Sequence, residues 1–181
     1  REGEKAGYDL ELPFISLDRE TPKHGTRPFE IGHIDHTVLD LQFVTEGTST
    51  SMGKACLTVM IDAFTRKILA WVITFDPPSK RSCMLVIRDC VRRYGRIPTT
   101  IVVDQGAEFK GTYFEQLLAY MGAHKRMRPA SHPRFGSIIE RFFGLQNTAF
   151  IHALCGNNKA LQSPRRMSKT HDPRELAVWN L

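Results

Sequence analysis

The chain has 181 residues, 41% hydrophobic and 24% charged, enough for one domain with a full core. No apolar run reaches the roughly 18–20 residues of a membrane-spanning helix, and the start of the sequence shows no signal-peptide pattern. The net charge of +6 is uneven: residues 1–122 carry 15 Lys and Arg against 16 Asp and Glu, and residues 123–181 carry 10 against 3. A basic final third on a neutral body points to a polyanionic partner.

Residues 1–28 are polar and broken by Pro13, Pro22, Gly25 and Pro28, as in an extended arm or linker. The first residue is Arg1 rather than Met, which reads as a piece excised from a longer protein. Phe29 to Val44 has the make-up of a long strand, and Ala55 to Phe64 and Lys67 to Phe75 of two more. The short break at Thr65-Arg66 makes those two an antiparallel hairpin. Residues 45–53 are turn-forming and expected to be mobile.

Ser82 to Tyr94 has helical periodicity through Met84, Leu85, Ile87, Cys90 and Val91, with Arg88, Arg92 and Arg93 outward and Gly95 as the stop. Thr99 to Val103 is apolar on both faces, as a buried parallel strand is, with Asp104 at its end. Thr112 to Met121 predicts a helix closed by Gly122, Lys125 to Arg128 a fifth strand, and Ser137 to about Leu154 a long helix. Residues 156–174 read as a basic linker, and Glu175 to Leu181 as the opening of a further element. Three antiparallel strands followed by αβα units predict an α/β fold: a mixed five-stranded sheet flanked by helices, with the first and fourth strands central.

Cys56, Cys83, Cys90 and Cys155 form no Cys-x-x-Cys pair, which speaks against structural zinc and for small core residues in a reducing compartment. Three acids stand out instead: Asp35, Asp104 and Glu140, the last two separated by 35 residues. Each sits in or beside an apolar run, where an unpaired charge is costly to bury. Three carboxylates brought together repel one another unless a cation neutralises them, and an all-oxygen set suits Mg²⁺ or Mn²⁺. Ser137 and Glu140 also have the spacing of a capping box, which would place Glu140 at a helix start for structural reasons alone. His33 and His36 lie three apart on a strand, on opposite faces, and read as packing or hydrogen-bonding residues. Asp62 reads as the anchor of the hairpin turn with Arg66, and Trp71 and Trp179 as packing residues.

With Asp35 in a first strand, Asp104-Gln105-Gly106-Ala107-Glu108-Phe109 after a fourth, and Glu140-Arg141 on the helix that follows, the chain resembles the RNase H-like catalytic core of DDE transposases and retroviral-type integrases. Details are most similar to the TnsB, TniA and Mu-phage transposase branch. They are His33-Ile34-Asp35-His36-Thr37, Ile61-Asp62-Ala63-Phe64-Thr65-Arg66, Gly136-Ser137-Ile138-Ile139-Glu140-Arg141-Phe142-Phe143-Gly144, and Asn147-Thr148 through Leu154 to Gly156. The resemblance covers about residues 28–156. Asp172-Pro173-Arg174-Glu175-Leu176 is similar to the lead-in to the small barrel that follows the core in that branch. Gln105 stands where many relatives have Asn, and Gly144 and Asn147 stand where retroviral integrases carry DNA-contacting lysines.

The resemblance implies an arm at 1–28, a catalytic core at 29–156 and a basic linker at 157–181 leading into a truncated domain. It implies metal-dependent 3′-end cleavage and strand transfer, with two Mg²⁺ (or Mn²⁺) ions held by Asp35, Asp104 and Glu140, Asp35 between them. Lys125, Arg128, His132, Arg134 and Arg141 crowd the approach to Glu140 and are candidates for DNA phosphates, with residues 129–136 as a flap. Implied partners are transposon-end DNA, target DNA, sister subunits in a transpososome and an AAA+ target-selection ATPase, at the bacterial nucleoid. A retroviral-type integrase or nuclease of the same fold, and a non-catalytic DNA-binding or assembly module, remain the alternatives.

Overall fold

The computed structural model describes residues 24–48, 50–106, 109–128, 137–157 and 175–180. In chain order these form β1 (Ile31–Val44), β2 (Ser51–Asp62), β3 (Ile68–Thr74), α1 (Lys80–Tyr94), β4 (Thr100–Val103), α2 (Thr112–Tyr120), β5 (His124–Met127) and α3 (Ser137–Ala149). A single 3₁₀ turn, Ile151–Ala153, follows. The strands make one sheet in the order β3-β2-β1-β4-β5, with β1 antiparallel to β2, β2 antiparallel to β3, and β1, β4 and β5 parallel. This is the expected mixed five-stranded RNase H-like sheet.

Alternation along the strands sorts side chains onto two faces. Ile34, Met60, Ala70, Ile101 and Val103 join α1 and α2 in the main core with Phe109, Phe114 and Leu118. On the other face, Val59 and Ile61 meet Ile139 of α3, and Ile31 and Val102 meet Ile138. Further along that face Leu39, Leu41, Phe43, Ala55 and Leu57 close over Ile151. α3 therefore lies on the face that β1 presents through its odd-numbered residues, and Asp35 is one of them.

Local chemistry sets the connections. Asp62 is buried in the β2–β3 turn: its Oδ2 accepts from the Thr65 N–H at 2.8 Å and the Thr65 hydroxyl at 2.7 Å. Its Oδ1 accepts from the Phe29 N–H at 2.8 Å, tying the start of β1 to the same turn. The Arg66 N–H bonds the Asp62 carbonyl, so the anchoring runs through Thr65 and the backbone, with Arg66 at a φ of 64°. α1 starts where the Ser79 N–H donates to Ser82 Oγ, and it ends at Gly95 with a φ of 68°.

The structure departs from the expected elements in several places, the first being β2, which starts at Ser51 inside the segment read as a turn. α1 buries Ser82, Cys83, Val86, Ile87 and Cys90, so its buried stripe is rotated from the one predicted through Met84 and Leu85. β4 ends at Val103, leaving Asp104 just past the strand. The final helix breaks at Ala149, and Leu145 and Phe150 are exposed. Cys155 is exposed, whereas Cys56, Cys83 and Cys90 are buried.

Of the terminal segment, residues 175–180 are described. Trp179 lies beside β1: its carbonyl accepts from the Val44 N–H at 2.9 Å and its indole N–H donates to the Cys155 carbonyl at 3.1 Å. Trp71 and Trp179 are both partly exposed. Among the described residues no helix is long and apolar enough to cross a membrane.

Candidate active site

Strand register builds the site. His33 of β1 pairs with Val102 of β4, and Val102 pairs with Arg126 of β5. Two residues on from these, Asp35 lies within β1, Asp104 just past the end of β4 and Arg128 just past the end of β5. Asp35 and Arg128 meet on the face that carries Val102, which is the α3 face. α3 docks through Ile139, fully buried against Val59 and Ile61, and so carries Glu140 of its first turn over the same end of the sheet. Carboxyl ends of parallel strands are where α/β sheets place their chemistry.

A guanidinium occupies the space between two of the acids. Arg128 Nη2 donates to Asp35 Oδ2 at 2.8 Å, and Arg128 Nη1 lies 3.9 Å from Glu140 Oε1. The Arg128 side chain is only 10% exposed, against 21% for Asp35 and 57% for Glu140. Its backbone is pinned on both sides: its N–H donates to the Val103 carbonyl at 2.9 Å, and its carbonyl accepts from Gln105 Nε2 at 3.3 Å. Asp35 Oδ1 accepts from the His36 N–H at 2.8 Å, so Oδ2 is the oxygen turned to Arg128. Asp104 is exposed and folds back, its Oδ1 accepting from the Gln105 N–H at 2.6 Å.

The flanking histidines divide as strand geometry requires. His36 stacks on Phe109, with ring centroids 5.2 Å apart, and its Nδ1 lies 2.7 Å from Thr58 Oγ1. His33 is buried on the Asp35 face with neither ring nitrogen hydrogen-bonded among the described residues. Burial, followed by the charges of Arg128, His24 and Arg66, pushes its imidazole down to about 4, so it is neutral at physiological pH.

The basic residues proposed for DNA do not all point outward. Lys125 is turned inward, its side chain 12% exposed, donating to the Phe109 carbonyl at 3.0 Å and pairing with Glu115. Its charge joins β5, α2 and the turn at Phe109. Arg141 is exposed beside Glu140. His132, Arg134, Glu108 and the 129–136 segment lie outside the described residues. Arg128 was legible as a cation but not as the partner of Asp35, which lies 93 residues away in sequence.

The donor chemistry suits a hard cation, being carboxylate oxygen throughout, and one cation already stands between Asp35 and Glu140 in the form of Arg128. Among the described residues no group of three or more His, Cys, Asp or Glu converges as a complete ligand set. Asp35 and Glu140 thus meet at Arg128, while Asp104 follows the strand that pairs with β1.

Residues 33–156, from just before Asp35 to just past α3, match the family model for the TnsB C-terminal domain. The chain belongs to the TnsB C-terminal domain family. Relatives of this TnsB-family domain include the transposase for transposon Tn552 of Staphylococcus aureus, 26% identical over 141 residues, covering 74% of this chain and 29% of that protein. The transposase for insertion sequence element IS904 of Lactococcus lactis is 27% identical over 96 residues, covering 52% and 37%. The matches thus span about a third of the length of these relatives. Among solved structures, a chain of the simian T-cell lymphotropic virus intasome, solved in complex with PP2A regulatory subunit B56 gamma, superposes at a TM-score of 0.54. It is 15% identical and covers 91% of this chain and 53% of that one. That likeness is one of fold.

Proposed function

We propose that this domain is the catalytic core of a DDE transposase, performing metal-dependent 3′-end cleavage and then strand transfer of transposon DNA into target DNA. The observation that supports the reading is the meeting of Asp35 of β1 and Glu140 of α3 at one guanidinium, with Asp104 directly after the strand that pairs with β1. The relatives named as transposases support it.

Asp35, Asp104 and Glu140 would hold Mg²⁺ or Mn²⁺, which when bound supplies charge neutralisation at phosphorus and activates the attacking oxygen. The protein's own part is placement. The sheet fixes Asp35 and Asp104, and the buried Ile139 fixes the turn that bears Glu140. Arg128 and Arg141, with His132 and Arg134, would take DNA phosphates. Water first breaks a P–O bond at the transposon end and frees a 3′-hydroxyl. That hydroxyl then attacks a target phosphodiester, so one P–O bond forms as another breaks and no covalent enzyme intermediate is needed. Partners follow as proposals: end DNA, target DNA, sister subunits, as the intasome neighbour suggests, and an AAA+ ATPase.

A labelled, pre-cut transposon end and a plasmid target, incubated with Mg²⁺ and the full protein, test this. Asp35→Ala, Asp104→Ala and Glu140→Gln should each lower joining by at least ~10³-fold with little change in melting temperature. Joining retained by Asp104→Ala would refute the assignment.

A further inference from the structure

Resting on that reading, we infer that Arg128 is a resident counter-ion that must leave the carboxylates before they take up metal, and that a DNA phosphate is what draws it away. It is a positioning residue: it governs when Asp35 and Glu140 become available.

Three observations carry this. First, the guanidinium spends separate nitrogens on separate acids, Nη2 on Asp35 at 2.8 Å and Nη1 toward Glu140 at 3.9 Å, so it sits between them rather than beside one. A divalent ion on the same oxygens would face a buried like charge at close range, and the two cations exclude each other. Second, the other Asp35 oxygen already accepts from the His36 N–H, so a metal on the oxygen that this bond does not use competes directly with the guanidinium. Third, apart from the Asp35 bond, the close bonds that fix Arg128 are on its backbone. Its backbone is fixed to Val103 and Gln105, its Nε is buried without a partner among the described residues, and the Glu140 contact is long and partly solvated. A planar guanidinium with five donors matches phosphate as well as it matches carboxylate, and a phosphate would also satisfy the orphaned Nε.

Exchange of partners then couples two binding events. DNA and metal help each other because both require Arg128 away from Asp35, and the coupling is reciprocal by linkage. Without DNA the acids stay neutralised and metal binds poorly. The domain is thereby kept from holding a loaded site before an end is in place.

The experiment is titration of the full protein with Mn²⁺, followed by calorimetry and by the electron spin resonance of free Mn²⁺, with and without a transposon-end duplex. Asp35→Asn serves as the blank. Arg128→Met should bind Mn²⁺ at least ~10-fold more tightly than wild type when DNA is absent, and DNA should improve its Mn²⁺ affinity less than it improves that of wild type. Arg128→Lys, which keeps charge but cannot span both acids, should fall between them. Equal or weaker Mn²⁺ binding by Arg128→Met without DNA overturns the inference while leaving the transposase reading intact. Absence of any Asp35-dependent Mn²⁺ binding, with DNA or without, overturns both. If Arg128→Met does not fold, the wild-type guanidinium ¹⁵N resonance of Arg128 decides. It should shift on adding Mg²⁺ and DNA together, and an unmoved resonance overturns the exchange.

Discussion

Asp89 on α1 receives three donors: Arg92 Nη2 at 2.7 Å, Arg93 Nε at 2.7 Å and the Trp71 N–H at 3.3 Å. Burial pushes its carboxyl upward, but these donors outweigh burial and leave it below its ordinary value of 3.8. A carboxylate lowered by folding contributes stability above its unfolded value and loses it as pH falls through the folded one. Asp89→Asn should therefore lower the melting temperature at about pH 7, and the difference should shrink as pH falls through the value of the folded carboxyl. A gap that persists undiminished in acid would assign the effect to shape rather than charge. At this scale the three acids could be read in advance, because a charged residue beside apolar runs needs a reason. What Lys125 and Arg128 do could not. Their partners, Glu115 and Asp35, lie 10 and 93 residues away, and nothing in the local sequence names them.

Elements were legible where periodicity and stop signals agree. β1 through β3 and the bounds of α1 follow from β-branched runs, the Thr65-Arg66 turn and Gly95. The stripe of α1 was legible only in part: Ile87 and Cys90 are buried as expected, but hydrophobicity favours the large Met84 and Leu85 while the sheet takes the smaller Cys83 and Val86 alongside Ala70. The end of α3 was also missed. Thr148 Oγ1 bonds back to the Gly144 carbonyl at 2.9 Å, and the chain then bends into a 3₁₀ turn that buries Ile151 among Leu39, Leu41 and Phe43. The β1–β4 pairing, which sets the strand that leads to Asp104 beside the one that bears Asp35, runs through Gly32, where a Cβ would stand 2.6 Å from Pro98 Cγ. The proline ring is stiff, so strand or loop must shift. Gly32→Ala should cost about 1–3 kcal/mol in denaturant unfolding and reduce joining beyond what the unfolded fraction explains. Unchanged stability would mean that the loop at Pro98 yields freely.

The whole molecule is held by apolar clusters on both faces of the sheet, and the acids contribute to none of them. Arg128 already balances charge at Asp35. Chelation with EDTA in the absence of DNA should consequently leave far-ultraviolet circular dichroism unchanged and move the melting temperature by less than about 1 °C. A fall of several degrees would show a metal that holds the fold.

By itself the sequence determined which residues are chemically suspect and which segments are strands or helices, because both follow from local composition and spacing. It determined the fold class as well, since element order and short connections leave few ways to pair these strands. Only the tertiary structure decided that Arg128 stands against both Asp35 and Glu140, and that Lys125 is turned inward onto Glu115 and the Phe109 carbonyl. Those facts come from strand register and helix docking, in which each side chain's partner is chosen by packing between segments far apart in the chain.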